Sequence, residues 1–205
     1  MLAISTATKK ALIALEHNGK KLYREIDADC RQSENILVAI DDMLQKEGLQ
    51  LSDVGNFGLV IGPGSFTGLR IGAALVKGFC AGQKEHKVVL ISSMDLIAFS
   101  AIRQFSPSQS FSCVMNAQGG RFYSATFNKS GKKTKDEHLE TAAEVLKGRG
   151  AKYCLLEEAF LPNSVTLSCE DLLELALKKQ KKGELVPAKD ITLKYIRKSS
   201  AEEKN

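Results

Sequence analysis

The sequence predicts an α/β protein: a mixed sheet with helices on its faces, followed by a smaller second lobe of similar element order. Three observations predict it. Short apolar runs of strand length open the chain and are divided by an Asn-Gly turn. Helix-length segments with apolar residues at i, i+3 and i+4 then alternate with further strand-length runs. A glycine-rich segment, Gly62 to Gly72, joins one such strand directly to a helix.

Leu2 to Thr6, Ala11 to Leu15 and Leu22 to Ile26 read as strands. Asn18-Gly19 between the second and third is a strong hairpin signal, because both residues tolerate positive φ. Ser33 to Glu47 reads as a helix, with Ser33 as N-cap and Gly48 as its stop. Ile36, Leu37, Ile40, Met43 and Leu44 share one of its faces. Phe57 to Ile61 is a strand and Leu69 to Ala81 a second helix. Val88 to Ile91 is a buried-type strand and Met94 to Ile102 a third helix. A three-stranded meander followed by crossover helices is the order of a ribonuclease H-like lobe, the half-unit of actin-like ATPases and sugar kinases.

Ser106 to Ser112 is serine-rich, contains Pro107 and reads as a linker. The domain boundary falls there, giving an N-terminal lobe of residues 1–104 and a smaller lobe of residues 105–205. In the second lobe, Cys113 to Asn116, Phe122 to Phe127 and Tyr153 to Leu156 suit strands, with Gly119-Gly120 at a turn. Thr141 to Lys147 and Cys169 to Lys178 suit helices, and Thr192 to Ile196 a last strand. This is a thinner copy of the first lobe.

With 205 residues, 43% hydrophobic and 26% charged, the chain has the balance of a globular protein. No window approaches a membrane span, and no basic, apolar leader opens the chain, so the cytoplasm is the expected location. Cys30, Cys80, Cys113, Cys154 and Cys169 are irregularly spaced without a C-x-x-C pair. That argues for a reducing compartment and against a structural zinc site. A net charge of +5 permits RNA contact without demanding it.

The most informative stretch is Gly62-Pro63-Gly64-Ser65-Phe66-Thr67-Gly68-Leu69-Arg70-Ile71-Gly72. Glycines allow positive φ and close backbone approach, and a helix start behind them could hold a phosphate. The competing reading is a tight strand-to-helix turn with no ligand, which the spacing favours. It is neither a Walker A loop nor a G-x-G-x-x-G fingerprint. Pro63 stands where a nucleophile elbow needs glycine, so Ser65 is a poor nucleophile.

This stretch resembles the signature of the bacterial TsaB (YeaZ) family. Leu2 to Thr8 is similar to that family's opening strand, and Gln32-Ser33-Glu34 to its first helix start. Met115 to Ala125 is similar to its central hairpin, and Tyr195-Ile196-Arg197 to its closing segment. The resemblance implies a two-lobed actin-like ATPase fold. It also implies a partner subunit without catalytic residues of its own, needed for a tRNA modification that another subunit catalyses. In such a complex a TsaD-type subunit and a TsaE-type ATPase are the partners, and a threonylcarbamoyl group goes to the adenosine beside the anticodon. Members self-associate when alone, and tRNA contact is indirect or weak. No cofactor is expected on this chain alone, which leaves ATP a place only at a junction with partner subunits.

Ser5, Gln32 and Asn116 stand where the family often carries an acidic residue, a histidine and an aspartate. All three are neutral here, and a hydroxyl is a poor magnesium ligand. His17, His86 and His138 are isolated and read as solvated surface residues, without the partner that acid–base work needs. No H-E-x-x-H or comparable cluster supports a protease. Asp41 and Asp42 point about 100° apart on a helix and share no site. The alternative function is an independent ATPase or phosphotransferase of the same fold.

The helix after the glycine loop is apolar nearly all round. Ile71, Leu75 and Phe79 are expected to face the lobe's own core. Ala73, Val76 and Cys80 then point elsewhere, with Ala74, Gly78 and Ala81 forming a small-residue sector and Lys77 beside them. Such a helix is buried on both sides. Either the second lobe or a loop covers it, or a partner does. On the first helix Val38 lies opposite the main stripe and Ala39 to the side. Val38, Ala39, Ala73, Val76, Lys77 and Cys80 are therefore the expected interface with a TsaD-type subunit or a second copy. Val76→Asp is expected to break binding without unfolding. Lys178, Lys179, Lys181 and Lys182 form a basic run that reads as a solvated face, with backbone contact to tRNA as its functional alternative.

Overall fold

The computed structural model describes residues 1–27, 32–82, 85–148, 150–155 and 161–196. Expectations on Cys30, Leu156 and Arg197, and on the side chains of Gln32, Ser33 and Glu34, lie outside the described residues.

Strand β1 (Leu2–Ser5) pairs antiparallel with β2 (Lys10–His17), which pairs antiparallel with β3 (Lys20–Asp27). The turn between β2 and β3 is the predicted one: Asn18 has φ 50° and Gly19 φ 83°, both left-handed. Helix α1 (Gln32–Lys46) starts one residue ahead of the expected span. Gly48 stops it at φ 66° while the Leu49 amide reaches back to the Leu44 carbonyl at 2.9 Å. Then come β4 (Asn56–Gly62), α2 (Phe66–Phe79) and β5 (Lys87–Ser92). The sheet order is β11-β5-β4-β1-β2-β3, with β1 and β4 parallel and the short β11 (Val186–Pro187) antiparallel to β5.

Alternation along the strands gives this sheet two different faces. Leu2, Ile4, Ile13, Leu15, Phe57 and Leu59 share a core with Ile36, Ile40, Met43 and Leu44 of α1. On the opposite face Ala14, Ala3 and Gly58 form a row across β2, β1 and β4. Helix α5 (Cys169–Lys181) packs there. A Cβ on Gly58 would lie 3.1 Å from the Cβ atoms of both Ala176 and Ala3, so the small residues are what let α5 come close. Leu37, expected in the inner stripe of α1, is instead 48% exposed. It sits one 100° step round from Ile36, and the core takes only Ile36, Ile40, Met43 and Leu44.

The second sheet repeats the pairing pattern. It contains β6 (Phe111–Asn116), β7 (Arg121–Phe127), β8 (Lys133–Thr141), β9 (Ala151–Leu155) and β10 (Asn163–Val165), in the order β10-β9-β6-β7-β8. β6 is antiparallel to β7 and parallel to β9, as β1 is to β2 and β4. Helix α4 (Ala142–Lys147) carries a capping box between Thr141 and Glu144.

The helices do not respect the boundary expected at 104/105. Helix α3 (Ser93–Phe105) packs on β6, β9 and β10, with Met94, Ile97, Ala98 and Ala101 in the second core. Helix α5 packs on β1, β2 and β3. The compact units are therefore Met1–Ile91 with Ser168–Leu193, and Ser92–Leu167 with the tail from Lys194. Each sheet is covered by the helix that follows the other sheet in sequence, which no single linear cut can represent.

Other expectations change in detail. The serine-rich linker ends at Ser110, because Phe111 and Ser112 already belong to β6. Thr192 to Ile196 forms no strand, and Val186–Pro187 is the closing strand instead. Two strands carry no signal in the sequence. β10 has only three residues, and β8 loses its period of two at register shifts against β7.

Candidate functional site

The glycine segment is a clasp on the turn between β1 and β2. β4 ends at Gly62, whose φ of 112° only glycine adopts readily. Helix α2 starts at Phe66, three residues before the expected Leu69, because Ser65 is its N-cap and accepts the Gly68 amide at 3.2 Å. The Ser65 amide donates to the Ala7 carbonyl at 2.8 Å, and Thr6 Oγ1 donates to the Gly68 carbonyl at 2.7 Å. A Cβ on Gly64 would stand 2.4 Å from the Ala7 carbonyl oxygen. One on Gly68 would stand 1.9 Å from that of Thr6, and one on Gly72 2.5 Å from Thr6 Oγ1.

Three glycines thus clear space for residues 6 and 7 of the same lobe. The amides of Ser65, Gly68 and Leu69 are already engaged within this clasp. That geometry favours the structural-turn reading of the motif. Pro63 is buried inside it, Phe66 is half-buried, and Ser65, Thr67 and Arg70 line its exposed rim.

The inner stripe of α2 is Gly68, Leu69, Gly72, Ala73 and Val76, continued by Cys80. Val76 is 0% exposed and belongs to the first core with Ala73 and Cys80. These three residues are therefore core, not interface, and the expectation that Val76→Asp spares the fold is withdrawn. The most buried stripe of the helix is turned relative to the sequence reading, though Ile71, Leu75 and Phe79 still pack against the core. Ile71, Leu75 and Phe79 are half-buried, while Ala74, Lys77 and Gly78 are exposed. A signal for this was present: Gly68 and Gly72, four apart, mark the face that another backbone must approach. On α1, Val38 is 61% exposed and Ala39 half-buried. The exposed apolar positions over this core are Leu37 and Val38 on α1 and Ala74 on α2, beside the half-buried Ile71 and Leu75.

Positions with catalytic flavour fall on different elements. Ser5 is buried at the end of β1, and its hydroxyl meets no hydrogen-bonding partner among the described residues. Asn116 accepts the Gln118 amide at 2.7 Å and so shapes the β6–β7 turn, where Gln118, Gly119 and Gly120 all have positive φ. His17 ends β2 half-buried, and His138 Nε2 lies 3.0 Å from Glu140. His86 corrects the reading of the histidines as surface residues: it is 8% exposed and edge-on to Phe57, with centroids 5.6 Å apart. Among the described residues no three His, Cys, Asp or Glu side chains gather to hold a metal. No described helix is long and apolar enough to cross a membrane. Lys179 pairs with Glu184 at 2.7 Å, and Lys181 and Lys182 are exposed.

A buried carboxylate with two lysine partners lies in the second unit. The Glu137 side chain is 0% exposed and meets both Lys133 and Lys194. Burial alone would raise its carboxyl, but hydrogen bonds from Lys133, Lys194 and Ser92 outweigh that and hold it down to about 2.

A sequence model of the family described as TsaD, tRNA N6-adenosine threonylcarbamoyltransferase, matches residues 27–191. The chain belongs to this family. Its curated relatives carry the TsaB name. It is 35% identical over 101 residues to the tRNA threonylcarbamoyladenosine biosynthesis protein TsaB of Haemophilus influenzae, covering 49% of this chain and 42% of that protein. To the Escherichia coli TsaB it is 29% identical over 129 residues, covering 63% of this chain and 55% of the other. The chain spans about half the length of the curated relatives it matches. YeaZ from Pseudomonas aeruginosa superposes with a TM-score of 0.75 at 23% identity, covering 95% of this chain and 98% of YeaZ. A crystal structure of a protein with similarity to peptidase YeaZ from the same organism gives 0.81 at 24% identity, covering 96% of this chain and 98% of that one. The fold is thus the two-lobed, actin-like fold of the YeaZ structures.

Proposed function

We propose that the chain is a scaffold subunit in tRNA threonylcarbamoyladenosine biosynthesis, binding and supporting a TsaD-type catalytic partner. The family and the TsaB name of its relatives support the pathway. The observation that carries the scaffold role is the apolar outer side of α1 and α2. Leu37 and Val38 are 48% and 61% exposed, and Ala74 lies in the open on α2. Exposed apolar surface of this kind marks protein contacts, and small residues such as Ala74 and Gly78 let a partner helix come close. Against a catalytic role of its own stand the neutral Ser5 and Asn116 and a glycine loop whose Ser65, Gly68 and Leu69 amides are engaged internally.

A second copy competes for the same face when the partner is absent. A TsaE-type ATPase and tRNA then join the complex through the partner. Calorimetric titration of the chain into the TsaD-type protein of the same source tests this reading. Val38→Glu with Ala74→Glu is expected to weaken binding by about tenfold or more while leaving the monomer folded. Equal affinity for the parent and the double variant overturns it.

A further inference from the structure

The chain passes between its two units at Ile91–Ser92, Leu167–Ser168 and Leu193–Lys194. The first residues beyond the first and third of these passages end on one carboxylate. Glu137 Oε1 accepts the Ser92 hydroxyl at 2.5 Å, and its Oε2 accepts from Lys194 Nζ at 2.5 Å. Neither contact is isolated. Ser92 Oγ also accepts the Met94 amide at 3.2 Å and so caps α3. Lys133 binds Glu137 and also Asp95, in the first turn of α3, at 2.9 Å. Beyond Lys194 the tail lays Ile196 against the second core and leaves Tyr195 44% exposed.

The carboxylate is aimed by its strand. Between the pairs Thr126–Lys135 and Ser124–His138 the β8 register slips, and Glu137 sits in that slip. Bulges of this kind re-aim a side chain out of the regular alternation. The result is a charge-assisted group, wholly buried, that holds two chain segments far apart in sequence.

We propose that Glu137 is a positioning residue that pins two chain passages to the second sheet, fixing the start of α3 through Ser92 and latching the strap Lys194–Ile196 through Lys194. The strap has no ladder of its own; Lys194 fastens it to Glu137, and Ile196 packs on the second core.

Limited chymotrypsin digestion of the full chain, read by mass spectrometry, tests the pin. Cleavage after Tyr195 reports the strap, and cleavage after Phe57, buried in the first core, reports global unfolding. Glu137→Gln is expected to speed cleavage after Tyr195 about tenfold more than it speeds cleavage after Phe57. A parallel rise at both sites, or no rise at Tyr195, overturns the proposal. Should Glu137→Gln not fold, Lys194→Met, at a position that is 39% exposed, carries the same test. It should release the strap alone, and Lys194→Arg should restore the parental rate. An unchanged rate in Lys194→Met, or failure of Lys194→Arg to restore it, overturns the pin equally.

Discussion

A Cβ on Gly68 would lie 1.9 Å from the carbonyl oxygen of Thr6, so the first turn of α2 and the β1–β2 turn can approach only through a glycine. The clash is with backbone, which cannot swing aside. Gly68→Ala is therefore expected to destabilise by about 3 kcal/mol or more. Gly78, ten residues on, has nothing within 4 Å of its would-be Cβ. Gly78→Ala should stabilise by about 0.5–1 kcal/mol through helix propensity. Urea midpoints of the two variants measure the contrast, and equal shifts would refute the clasp.

Val76 and Val38 were expected on one surface, and the structure separates them: 0% against 61% exposed. Val76→Asp buries an unpaired charge and should leave no folded monomer by circular dichroism. Val38→Asp should change the unfolding free energy by no more than about 0.5 kcal/mol. Similar losses in the two variants would contradict the helix phase seen here.

The row Ala14–Ala3–Gly58 beneath α5 predicts a graded effect. Gly58→Ala meets two Cβ atoms at 3.1 Å, and Gly58→Val adds two methyl groups to the same gap. Thermal unfolding should show the valine variant lower in stability by about 1–3 kcal/mol, with alanine between it and the parent. A neutral valine would mean that α5 does not lie this close.

Glu137 predicts a pH dependence. Its folded-state carboxyl, at about 2, lies below the ordinary glutamate value of 4.5. A depressed carboxyl contributes stability that is present above pH about 4.5 and is lost as the pH falls toward about 2. The difference corresponds to about 3 kcal/mol as an upper figure. In the parent, the urea midpoint should drop across that window. In Glu137→Gln the drop should shrink, and an identical acid profile in both would refute the assignment.

Much of this fold was legible because local chemistry and tertiary demand agree. Asn18-Gly19 marks a hairpin by its tolerance of left-handed backbone, and Gly48 marks a helix end for the same reason. The glycine motif was legible as a turn, but not its target, since Thr6 and Ala7 lie far away in sequence. The phase of α2 failed because the helix is apolar on several sides, and hydrophobicity alone cannot rank them. Gly68 and Gly72 encode the answer through what they lack. The domain cut failed because α3 and α5 each follow one sheet and cover the other. Glu137 was invisible because β8 reads as charged coil, and its burial depends on a register slip against β7.

The central claim is that the chain works as a partner subunit. Light scattering of the chain alone, and mixed with the TsaD-type protein of the same source, tests it most directly. The account predicts a self-associated species that converts to a stable mixed complex, with Val38→Glu and Ala74→Glu together weakening both. A chain whose mass is indifferent to that protein would contradict it.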